Sequence, residues 1–273
     1  MVLVAVKVLL APSFVVGASL VARRFGLRVG GLIAGLPVVA GPILLAYALA
    51  HGREFAASAA AGTLLGLVSL IAFVVVYARL AGRTAWWRSM LAGWVSFAAV
   101  TALFTAVTPP AGASLLLAGV ALAAGLTALP RAGNDPQPQA PPPSWDLPMR
   151  AVCALALVLT LTAVAGWLGP QLSGLLAPFP IIATVLATFT HAQRGTDDLL
   201  RLLRGLLGGF GAFALFCFTL ALALRSMDTG AAFALATALA LLTQAVALLL
   251  LGKEPAPVAP LAECYVGTPP PAG

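Results

Sequence analysis

The chain has 273 residues, 61% of them hydrophobic and only 8% charged, with a mean hydropathy of +1.04. Soluble domains run near a quarter charged, so this composition excludes a water-soluble globular domain and points to an all-α, polytopic helical membrane protein. The net charge of +7 reads as arginine-loaded loops rather than a nucleic-acid surface, and the three cysteines are too scattered for a disulfide framework.

The first apolar stretch covers about residues 2–22, interrupted by Lys7 and closed by Arg23, Arg24 and Arg28. It has no basic n-region, so no cleavable signal is expected. The second covers 29–50 and ends in His51, Gly52, Arg53 and Glu54. The third covers 56–78 and is followed by Arg79, Arg83 and Arg88. Residues 90–130 carry no charge at all, which is too long for one span of about 20 residues. The turn signal Thr108-Pro109-Pro110-Ala111-Gly112 divides them into a fourth and a fifth segment.

Residues 131–148, rich in proline and polar side chains, read as an extended linker. Segment six covers 151–168. Gly169-Pro170-Gln171 then turns the chain into segment seven, 174–191. A charged loop follows, with Arg194, Asp197, Asp198, Arg201 and Arg204. Segments eight and nine cover about 205–224 and 229–251, and the proline-rich tail from Lys253 reads as disordered. About nine spans are thus expected: 1–130 as a first repeat plus one extra helix, 131–149 as a cytoplasmic linker, 150–252 as a second repeat, and 253–273 as the tail.

The repeat rests on an offset of 143 positions. Gly31, Leu32, Ala34, Pro37, Ala40 and Gly52 then meet Gly174, Leu175, Ala177, Pro180, Ala183 and Gly195 without a gap. Lys7 meets Arg150, Gly62 meets Gly205 and Gly66 meets Gly209. Internal repeats dictate architecture. Twelve Lys and Arg fall in one set of loops and the tail, against Arg53 and Arg225 in the opposite set. The excess marks the cytoplasmic side, which places the N-terminus outside, the C-terminus inside, and the whole in an inner (plasma) membrane. Five spans before the linker and four after it make the two copies inverted, a recurring plan in transporters with a site near the midplane.

The candidate site is built from breaks in segments two and seven. Proline lacks an N–H and crowds the carbonyl four residues back. Pro37 would free the carbonyl of Ile33, Pro42 that of Val38, Pro178 that of Gly174, and Pro180 that of Leu176. Freed carbonyls in lipid need protein, water or a ligand. Gly35 and Gly41 permit close backbone approach. Thr184 and Thr188 share one face of segment seven, and Gln244 carries an amide that needs partners in a dry bundle. Substrate binding is therefore assigned to Gly35, Pro37, Gly41, Pro42, Pro178, Pro180, Thr184, Thr188 and Gln244. The competing reading of each is structural: proline-kinked packing helices, GxxxG contacts, and hydroxyls bonded to their own helix. His51 and His191 fall on opposite faces in this topology, so interfacial caps suit them better than a shared metal.

No Asp or Glu lies in the middle of a span, and no HExxH, GxSxG or phosphate-binding loop occurs. An enzyme is not expected, and neither a metal nor a cofactor is called for. The functions left are a transporter or exporter of a small or amphipathic substrate, or a non-transporting scaffold or accessory subunit for cell-envelope synthesis. The partners expected are the lipid bilayer and a small-molecule or lipid-like substrate, with homodimerisation left open and nucleic acid excluded.

The stretch Gly174-Leu175-Leu176-Ala177-Pro178-Phe179-Pro180, followed by a His and an Arg-Gly, resembles the GlpM-like group of small bacterial inner-membrane proteins, four-span chains with a Gly-Leu-x-x-x-Phe-Pro stretch in an early span. The resemblance covers segments six to nine and, more weakly, one to four. It implies an architecture rather than an activity.

Overall fold

The computed structural model describes residues 2–104, 109–133, 143–160 and 179–251, with side chains between Leu9 and Leu250. All regular structure among them is helical. In chain order the helices are α1 (Val2–Phe25), α2 (Leu27–Ala34), α3 (Ala40–His51), α4 (Arg53–Ala81), α5 (Trp86–Phe104), α6 (Ala111–Ala128), α7 (146–160), α8 (Ile181–Arg194), α9 (Thr196–Ser226) and α10 (Thr229–Leu251). Among the described residues, α4, α5, α6, α9 and α10 are long and apolar enough to cross a membrane. Pro178, Gly174, Leu176, residues 134–142 of the linker, the tail and the Lys7 side chain lie outside what is described.

Burial separates centre from rim. The apolar stretch of α9 is 67% buried and that of α4 44%, against 17% in each of α5, α6 and α10. So α4 and α9 pack together at the centre, with α5 and α6 on α4, α10 on α9, and α2 wedged between α1 and α9. The rim helices turn Leu103, Leu116 and Leu249 outward, as suits a hydrocarbon solvent.

Glycine decides how closely α2 meets α9. A Cβ on Gly35 would lie 2.7 Å from Gly209 Cα, and one on Gly31 would lie 2.8 Å from the Leu206 nitrogen. A Cβ on Gly205 would collide with the Arg28 carbonyl and one on Gly209 with the Leu32 carbonyl. Two GxxxG patterns thus face each other, Gly31-x-x-x-Gly35 and Gly205-x-x-x-Gly209, so the backbones touch. The equivalent pattern on α4 has no such role at Gly62, around which a Cβ would find open space.

Two further glycines turn corners. Gly52 (φ 89°, ψ 169°) joins α3 to α4, and Gly195 (φ 82°, ψ −172°) joins α8 to α9. Both occupy backbone space that a Cβ disfavours. The helices that follow start at Arg53 and Thr196, 143 positions apart; so do α5 and α10, at Trp86 and Thr229.

Several arginines cap helix ends, where carbonyls lack intrahelical donors and the dipole favours a cation. Arg79 Nε donates to the Ala128 carbonyl (2.9 Å) at the end of α6, with the Arg204 guanidinium 3.4 Å from the neighbouring Leu129 carbonyl. At the other end of the molecule Arg53 donates to the Met227 carbonyl (2.9 Å), just past α9.

Candidate functional site

The break expected at Pro37 is present: α2 stops at Ala34 and α3 begins at Ala40. Its hydrogen bonding differs from expectation by one position. The Ile33 carbonyl is not left free, because the Leu36 N–H turns back to it at 3.0 Å. That tighter turn leaves the Leu32 carbonyl without its usual partner four residues on. Leu32 instead accepts from the Gly35 N–H (3.2 Å) and from Gln244 Nε2 of α10 (2.8 Å). Gln244 is 3% exposed, and its Oε1 has no protein partner. Pro42 also departs from expectation. It falls in the first turn of α3, where an amide N–H has no intrahelical acceptor, so no helical hydrogen bond is lost there.

Pro180 immediately precedes α8. Two of the backbone hydrogen bonds around it repeat those around Pro37. The Val38 N–H donates to the Leu36 carbonyl (2.9 Å), as the Ile181 N–H does to Phe179 (2.8 Å). The Gly41 N–H donates to the Pro37 carbonyl (2.8 Å), as the Thr184 N–H does to Pro180 (2.8 Å). Each pair of bonds is separated from its counterpart by 143 positions.

The candidate residues fall into two groups with different neighbours. Around the first break Gly35 lies on Gly209 of α9, a Cβ on Gly41 would touch the Phe216 ring, and Gln244 holds Leu32. Around the second, Thr184 accepts from Trp94 Nε1 of α5 (3.0 Å), and Phe179 packs against Trp94 and Phe97 at ring separations of 5.3 and 5.7 Å. Thr188 lies beside the Tyr77 hydroxyl without meeting hydrogen-bond geometry, and its Oγ1 has no protein partner. Tyr77 lies 3.4 Å from Nδ1 of His191. His51 stacks on Phe55 with centroids 4.8 Å apart. Helices α1 and α9 each pack against both α2 and α8.

A third cluster escaped the sequence reading. Asp146, assigned there to the linker, opens α7 and is 1% exposed. It accepts from Arg23 of α1 (2.7 Å), from Arg150 Nε (2.9 and 3.0 Å) and from Gln193 of α8 (2.7 Å). The Arg150 guanidinium also lies over the Phe189 ring, 5.0 Å from its centroid. Burial pushes the Asp146 carboxyl up, but Arg23, Arg150 and Gln193 outweigh it and hold it below the usual carboxylate range. The available signal was the Asp146–Arg150 spacing of four, which places both on one helix face. Beside it, Asp198 pairs with Arg201 at 2.9 Å and with Arg194 at 4.0 Å.

Gly133, near the start of the linker, donates its N–H to Asp197 (2.9 Å) and accepts from Arg201 (2.9 Å). Among the described residues no cluster of three or more His, Cys, Asp or Glu could hold a metal. In comparisons with known proteins, no family model, curated protein or solved structure matches this chain.

Proposed function

We propose that the protein is a membrane transporter or exporter of a small or amphipathic substrate, built from two inverted copies with five spans before the linker and four after it. The observation that carries this reading is the pair of matched hydrogen bonds around Pro37 and Pro180. Two prolines with matched local hydrogen bonds, one of them at a helix break, in opposite halves of one chain, suit the interrupted helices from which midplane sites are made in inverted-repeat transporters. The spare acceptor of Gln244 beside the first break supplies a polar contact in a largely apolar interior. Thr184 and Thr188 lie on α8, just past Pro180.

The proposed topology has the N-terminus outside and the C-terminus in the cytoplasm of a bacterial inner membrane, in keeping with the resemblance to the GlpM-like group. Contacts between loops support it. Arg79 meets Ala128, Thr196 meets Ala81 and Arg23 meets Asp146, all in loops assigned to the cytoplasm; Arg53 meets Met227 in loops assigned outside.

The second reading is a non-transporting scaffold or accessory subunit for cell-envelope synthesis. It is favoured by the crossing of α2 and α9, where glycine backbones touch and leave no room for a side chain. Uptake and efflux assays in proteoliposomes, with and without a proton or sodium gradient, decide between them. Gradient-dependent flux that Pro37→Ala and Pro180→Ala abolish supports transport; flux equal to protein-free vesicles across the panel supports the scaffold.

A further inference from the structure

Where α1, α7, α8 and α9 converge, a cavity of about 20 Å³ is lined in part by Ser19, Arg23, Asp146, Arg150, Thr190 and Arg194. That is room for about one water molecule. Arg23 and Arg150 meet the Asp146 carboxylate in this lining, and Arg194, which pairs with Asp198, adds a third guanidinium. Asp198, the other acid nearby, is engaged by Arg201 and Arg194. Ser19 is 4% exposed, lines the cavity, and has no protein partner for its Oγ. A buried hydroxyl without a partner marks a position where a ligand atom can add a hydrogen bond. Planar guanidinium forks are matched to the paired oxygens of phosphate and carboxylate.

We propose that this cavity is an oxyanion site for a phosphate group, held closed by Asp146 acting as a built-in counter-ion. The carboxylate takes the donors that a phosphate would need, those of Arg23 and Arg150, together with that of Gln193. A phosphate group is larger than the cavity, so it enters only as the carboxylate withdraws. Phosphate takes over the arginines, and Ser19 Oγ donates to it. The inference stands apart from the transport reading, because it concerns binding at the arginine-rich end and needs no flux.

The test is a melting-temperature series on the full chain. Protein in neutral detergent is titrated with inorganic phosphate; in parallel it is placed in nanodiscs of phosphatidylcholine alone or mixed with phosphatidic acid. Asp146→Asn removes the competing charge at constant shape, and its apparent affinity for the anion is expected to be at least tenfold tighter than that of the native chain. Ser19→Ala leaves the anion-free protein folded and weakens the response. Stabilisation by inorganic phosphate identifies a soluble ligand; stabilisation by phosphatidic acid alone identifies a lipid headgroup. Absence of any anion-dependent shift in both arms overturns the proposal. Should Asp146→Asn not fold, an anion response of Ser19→Ala equal to that of the native chain overturns it as well.

Discussion

Gln244, on the last described helix, donates from Nε2 to the backbone carbonyl of Leu32 across 2.8 Å, in place of the Leu36 N–H that the turn before Pro37 takes away. Its value depends on what the carbonyl would otherwise face. Replacing Gln244 with Leu leaves Leu32 with only the longer bond from Gly35, and a buried acceptor that loses its partner costs about 1–3 kcal/mol. Removing the unpartnered Oε1 offsets part of that, so a net loss of about 1 kcal/mol is expected. Denaturant or thermal unfolding in detergent measures it; a variant more stable than the native chain would show that Gln244 is kept for ligand contact alone.

The close crossing makes a sharper contrast. Gly205→Ala and Gly209→Ala drive a methyl group into backbone carbonyls of α2, which cannot rotate away. Overpacking against side chains costs about 1–3 kcal/mol, and here the loss should reach the top of that range or beyond. Gly62→Ala meets open space and should gain up to about 1 kcal/mol from helix propensity. Comparing the three in one unfolding assay separates packing from sequence similarity, because Gly62 and Gly205 are counterparts at the repeat offset.

Gly52 and Gly195 should respond alike. Each holds a positive φ with nothing near its absent Cβ, so an alanine there meets backbone strain and no clash. Both lie in the extended positive-φ region that is almost reserved for glycine, and the expected cost is about 1–3 kcal/mol at each position. Unequal losses, measured side by side, would argue that the two corners are not structural equivalents.

Pro37→Ala restores an N–H that can reach the Ile33 carbonyl and let the helix run on. A helix interior prefers Ala to Pro by about 3 kcal/mol, so folding should be kept or improved while flux falls. A control at Pro110, which immediately precedes α6, should change little. Normal flux in a well-folded Pro37→Ala and Pro180→Ala pair would reduce both breaks to packing kinks.

Asp146 gives the stability an acid limit. Its folded pKa lies below the unfolded value of about 3.9. The contribution is therefore complete above that unfolded value and disappears as pH falls through the folded one. Asp146→Asn should flatten the acid limb of a stability–pH curve while leaving the slope above pH 5 unchanged. An unaltered acid limb would show that other carboxylates set it.

Helix type, the site of the first break and the glycines of the α2–α9 crossing were legible because each is written in local chemistry. A proline inside an apolar run and small residues four apart mean the same thing in any fold. The partner of a displaced carbonyl was not legible, since Leu32 and Gln244 are 212 positions apart and nothing local joins them. Asp146 was hidden for another reason. Its neighbours Pro143, Ser144 and Trp145 have linker composition, and only the arrival of Arg23 and Gln193 from other helices gives the carboxylate a buried place. Gly62 and Gly205 look identical in sequence and differ only in what lies opposite them.

The connection between the two halves is fastened near each of its ends. Gly133 is tied to Asp197 and Arg201, and Asp146 to Arg23, Arg150 and Gln193. Covalent continuity between those two anchors therefore adds little that the folded surfaces do not already provide. Helix α9 of the second half is packed against α2, α4 and α6 of the first. Cut between Gly133 and Asp146, the protein should behave as a two-subunit complex: each piece would carry its own anchor, and the pair would assemble from separately made polypeptides. A gene split at that point is the form in which such a protein could exist as a heterodimer.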